Sequence, residues 1–190
     1  MFRSSNKQKP IERVTEYASC KDFQQIFNED MVGLHRLAFL LMGDHAAAER
    51  CFVAGLEASI HGNPVFRQWA RAWSKRAIIQ SAIKAIAPMP TRHGAILEAA
   101  EAQWSGNDVE SVAAVVASWE PFERFVFVMA VLEGYGLREC AALLACPVQD
   151  VLAAKSFTMQ RLANQSRPKD VSQDCEYVPR DNGFARAQVA

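Results

Sequence analysis

Arg67, Arg71 and Lys75 stand four residues apart, so on a helix their cationic ends gather on one face, with Trp69 and Trp73 on a neighbouring one. Such a face binds: phosphates attract the cations, and unstacked bases rest on aromatic rings. No acidic residue occurs between Glu57 and Glu98, while Arg76, Lys84 and Arg92 add to the cations. The plainer reading of the same pattern is a solvated cationic face above a tryptophan-filled core. From Asp108 to Ala163 acidic residues outnumber basic ones, so the formal net charge of +0 conceals an uneven distribution.

Bond-making chemistry finds little support. His35, His45, His61 and His93 lack metal-ligand spacing, no glycine-rich phosphate loop occurs, and no nucleophile stands beside a base. Cys20, Cys51, Cys140, Cys146 and Cys175 are odd in number and scattered, with no C-x-x-C pair, which points away from a disulfide framework and a zinc site. The expectation is a protein that is not an enzyme, with no cofactor and no metal.

The elements that must position the basic face read as helices throughout, and the fold class is all-α. With 190 residues, half of them apolar, the chain can bury cores for two small bundles. A helix from Asp22 carries Phe23, Phe27, Leu34, Leu37 and Leu41 on one stripe and stops at Gly43. Asp44 caps a second helix to about Ser59, and Pro64 suits the first turn of a third that runs to about Ile86.

A second set follows at about 108–117, 120–132, 137–144 and 148–163, broken at Gly134-Tyr135-Gly136 and at Cys146-Pro147. The organisation is a tail over 1–21, a helical domain over 22–87, and a linker over 88–107 with a short helix near Ala95 to Ala102. A second helical domain over 108–163 and a tail over 164–190 complete it. The start lacks the apolar core of a secretory signal and no run reaches the ~20 residues of a bilayer span, so a cytoplasmic protein without membrane insertion is expected.

Leu137 to Leu144, a short break, and Val148 onward have the size and spacing of a helix-turn-helix, whose second helix enters the major groove of DNA. Plain packing of two short helices would look the same.

Order and motif together resemble the bacterial extracytoplasmic-function sigma factors over about Asp22 to Ala163. Leu40-Leu41-Met42-Gly43-Asp44 with Ala48-Glu49 looks like that family's Leu-Gly-Asp-x-x-x-Ala-Glu segment. Phe66-Arg67-Gln68-Trp69 is similar to the Phe-Arg-x-Trp signature that opens the promoter-melting helix. Glu133-Gly134 and Glu139-Cys140-Ala141-Ala142-Leu143-Leu144 resemble the Glu-Gly-x-x-x-x-Glu-Ile-Ala-x-Leu-Leu run before the recognition helix.

The resemblance implies transcription initiation. The first domain would bind core RNA polymerase through Asp44, Glu49, Arg50 and Val53 and melt promoter DNA with Arg67, Trp69, Arg71, Trp73, Lys75, Arg76, Gln80 and Lys84. The second would read the minus-thirty-five element with Gln149, Lys155 and Arg161. An anti-sigma factor is a further partner of such proteins.

The sequence also departs from that pattern. Arg50 and Val53-Ala54 stand where the family has Asp and then a Gln-Glu or Gln-Asp pair. Lys75-Arg76 and Gln80 replace an Arg-Asn pair and a later Asp. Leu152, Ala154 and Ser156 occupy positions usually Lys, Arg and His, and alanine cannot hydrogen-bond a base edge. Two readings therefore stand beside each other: a divergent sigma factor, and a sigma-like interaction protein that serves as decoy or scaffold for an anti-sigma factor or polymerase. An unrelated regulator using only its helix-turn-helix is a third.

Overall fold

A computed structural model describes residues 16–90 and 109–165. Among these residues the chain is all-α, with no strand beyond one isolated bridge between Tyr17 and Phe66. The expected short helix near Ala95 to Ala102 lies outside the described residues.

Helix α1 (Cys20–Glu29) begins at a capping box: Ser19 accepts from the Asp22 amide through its hydroxyl, and its own amide donates to the Asp22 carboxylate at 2.7 Å. The single helix expected from Asp22 to Gly43 is instead two, because Asp30 (φ −113°, ψ 29°) breaks the backbone before α2 (Met31–Met42). The Asp30 carboxylate lies over Gly33 where a side chain at that position would stand, and it turns toward Arg71. Gly43, at φ 74°, closes α2 in the left-handed region, and Asp44 then accepts from the Ala47 amide at 2.7 Å to start α3 (His45–His61).

Pro64 does not open the next helix. Residues 65–67 are instead tied to 16–18: the Ala18 amide donates to the Val65 carbonyl at 2.7 Å and the Arg67 amide to the Glu16 carbonyl at 3.0 Å. Tyr17 stacks on Phe66 with ring centroids 4.9 Å apart, so the last residues of the expected N-terminal tail are fastened to the fold. A 3-10 turn (Arg67–Trp69) then leads into α4 (Ala70–Ile86). Gly55 lets α3 and α4 approach closely, since a Cβ there would meet Ile78 Cγ1 at 2.6 Å.

The second set is α5 (Val109–Ala117), α6 (Pro121–Phe127), α7 (Leu137–Leu144) and α8 (Val148–Gln165). Pro121 takes the first turn of α6, where its missing N–H costs nothing. The end of α6 runs on as a π turn over Val128–Leu132, in which the Glu133 amide donates to the Val128 carbonyl at 2.9 Å.

Two separate bundles would have two cores, but the main cluster of buried side chains is continuous across both sets. Helix α2 lies at the centre and packs on α3, α4, α5 and α6, so Leu34, Leu37 and Leu41 share a cluster with Val116, Phe122, Phe125 and Val126. Arg124, 6% exposed, crosses this junction. Its guanidinium donates to the carbonyls of Leu41 (3.1 Å), Met42 (3.3 Å), Ala117 (2.7 Å) and Trp119 (3.3 Å), which satisfies ends of α2 and α5 that would otherwise be orphaned.

Candidate nucleic-acid interface

The 3-10 turn and α4 bring the expected cations to one side of the molecule, and each of the four central ones meets a carboxylate. Arg67 pairs with Asp22 at 3.0 Å, and Arg71 with Glu29 at 3.0 Å and Asp30 at 3.6 Å. Lys75 Nζ lies 2.8 Å from Glu133 and Arg76 Nη1 lies 2.6 Å from Glu139. The first two pairs stay within the first helical set; the last two join α4 to the Gly134–Gly136 turn and to α7.

Two tryptophans expected on one face divide their roles. Trp69 is 56% exposed, its ring edge-on to Phe66 at 5.2 Å. Trp73 is half-buried against a small cluster of Phe23, Val65 and Ala70. Between α4 and the turn lies an open cleft of about 890 Å3, walled by Phe66, Trp69, Trp73, Gln80 and Tyr135 and crossed by the two ion pairs to Glu133 and Glu139. Burial raises the Tyr135 hydroxyl pKa above its ordinary value. Lys84 is exposed further along α4.

Magnitudes separate what holds the cleft from what lines it. A fully buried Leu or Phe contributes roughly 1.5–3 kcal/mol, whereas a partly exposed ion pair contributes about 0–1 kcal/mol. The shared core therefore holds the two sets together, and the ion pairs can exchange partners without separating them.

The other candidate positions fall elsewhere. Helices α7 and α8 bend by 112° at the Ala145-Cys146-Pro147 break, with Ala145 left-handed at φ 50°. Gln149 is exposed at the start of α8 and Lys155 is half-buried. Arg161 faces inward: its guanidinium lies 5.7 Å from the Trp119 ring centroid and 3.8 Å from Glu123. The large side chains that α8 presents outward are Val148, Leu152 and Met159. On α3, Asp44 serves as the cap while Glu49, Arg50 and Val53 are exposed at spacings that share one face.

Sequence reasoning missed the carboxylate partners Asp22, Glu29, Asp30, Glu133 and Glu139. A signal for the last two was present, because the acid-rich second set is the natural complement of an acid-free α4.

Among the described residues no group of His, Cys, Asp and Glu is arranged to hold a metal ion, and no single helix is long and apolar enough to cross a membrane. No protein-family model, no curated protein and no solved structure matches the chain.

Proposed function

We propose that this chain is a divergent sigma factor of the extracytoplasmic-function type, which joins core RNA polymerase and places it at promoter DNA. The observation that carries the reading is α4: an acid-free helix with Arg67, Arg71, Lys75 and Arg76 along one side and the exposed Trp69 ring at its head. Cations at this spacing suit a phosphate backbone, and the ring suits an unstacked base. The 112° bend between α7 and α8 lies within the range of helix-turn-helix pairs and adds support. Glu49, Arg50 and Val53 on α3 supply the surface for polymerase.

The test is retention of core polymerase on a column of the full chain, followed by transcription from genomic fragments. Defined start sites that disappear when Arg67 and Arg71 are changed to Glu support the reading. Failure to retain core polymerase sinks it.

A second reading is favoured by α8. Its outward Val148, Leu152 and Met159, together with the inward turn of Arg161, fit a helical protein partner better than a major groove. In that reading the chain is a sigma-like decoy or scaffold for an anti-sigma factor or polymerase. Charge reversal at Arg67 and Arg71 would then leave its cellular effect unchanged.

A further inference from the structure

The cations that would meet phosphate are already occupied, and two of their partners come from the second helical set. Glu133 and Glu139 flank a turn whose glycines stand in open space: an added Cβ at Gly134 or Gly136 would meet nothing within 4 Å. Gly134 also sits at φ 72°, a conformation that glycine adopts freely and other residues rarely do. The turn thus carries two carboxylates against Lys75 and Arg76 at 2.8 Å and 2.6 Å while its outer side is unpacked.

We infer that Glu133 and Glu139 form an intramolecular mask, standing in for phosphates on Lys75 and Arg76 and holding the nucleic-acid face of α4 closed until a polyanion displaces them. The inference rests on the proposed role of α4 in binding nucleic acid. A carboxylate and a phosphate oxygen make the same charge-assisted contact with an ammonium or guanidinium, so they compete for one position. Because the core holds the two sets together independently, the exchange needs only a shift of the Glu133–Glu139 segment. The same cleft contains Trp69 and Tyr135, so displacement of the carboxylates opens cations and rings together.

Full-length protein is titrated into a fluorescein-labelled single-stranded oligonucleotide of mixed sequence, and anisotropy is read over a range of salt concentrations. The Glu133→Gln/Glu139→Gln variant binds roughly 3- to 30-fold tighter than wild type at low salt, the range expected from releasing two partly exposed pairs. Its salt slope is steeper, because wild type gains back part of its loss as salt weakens the mask. Glu57→Gln, an exposed acid on α3, shifts affinity by less than about twofold through net charge alone. Circular dichroism establishes that each variant is folded, and Glu139→Gln alone, whose side chain is 46% exposed, serves if the double variant is not. Equal affinities and slopes for wild type and the masking variants overturn the mask and leave the reading of α4 intact. Absence of binding by every folded variant overturns both.

Discussion

Arg124 Nε donates to the Leu41 carbonyl at 3.1 Å, and the residues are 83 positions apart in the chain. The contact places a buried cation from the second helical set at the C-terminal end of a helix in the first, where the helix dipole favours positive charge. Burial lowers the Arg124 pKa from its ordinary value, opposed by Glu120, and four carbonyl acceptors compensate the lost water.

Removal of Arg124 leaves buried carbonyls of Leu41 and Trp119 without that donor. Arg124→Met is expected to cost about 3–5 kcal/mol in urea unfolding, the range for breaking a buried charged network. Because the core is continuous, wild type unfolds in one transition, with fluorescence and circular dichroism coincident. Two resolved transitions would contradict the shared core.

Gly43 lies directly beneath the same guanidinium. An added Cβ would meet Arg124 Nη1 at 2.6 Å and would adopt the left-handed backbone at φ 74°. Gly43→Ala therefore loses at least about 1–2 kcal/mol from backbone strain, before any displacement of Arg124. A melting temperature within a degree of wild type would refute this.

The thiols divide by burial. Cys51 and Cys140 are buried, and burial pushes each pKa up to about 11, so both are almost wholly protonated at pH 8. Cys20 is exposed. Alkylation at pH 8, read by peptide mass spectrometry, is expected to label Cys20 rapidly and Cys51 and Cys140 only after unfolding. Early labelling of Cys51 would show that the α3–α4 contact is loose.

Asp22 governs an acid limit. Hydrogen bonds from the Ser19 amide and hydroxyl, aided by Arg67, hold its carboxyl below the ordinary value of 3.8. The folded state thus binds the proton less readily than the unfolded one, so the contribution is present above pH 3.8 and lost as pH falls through the folded value. Asp22→Asn is accordingly less stable than wild type at pH 7, and the gap closes at acid pH. A gap independent of pH would assign the effect to packing. Ser19→Ala removes the cap and costs about 1 kcal/mol.

Much of the architecture was legible because it follows from local signals. Gly43 and Asp44 end and begin helices through their own backbone and side chain, and Leu137 to Leu144 is bounded by a glycine and a left-handed Ala145. The break at Asp30 was not legible: the apolar stripe from Phe23 to Leu41 continues across it, and the interruption depends on contacts with Gly33 and Arg71. Pro64 misled because Val65 and Phe66 are drawn into pairing with residues about 48 positions earlier, a tertiary effect. The basic face was legible as helical spacing, but its neutralisation was not, since Glu133 and Glu139 are 58 and 63 residues from their partners. Periodicity reports which side chains share a helix face and says nothing of what lies opposite.

The π turn over Val128–Leu132 bears on how this pairing could be inherited or lost. A π turn accommodates one residue more than an α-helical turn, and each residue advances an α-helix by about 100°. Deleting a single residue there would let the helix regularise and rotate everything after it by that angle, carrying the Glu133 carboxylate away from Lys75. The electrostatic register between the two helical sets is therefore encoded by the number of residues in the segment as well as by their identity.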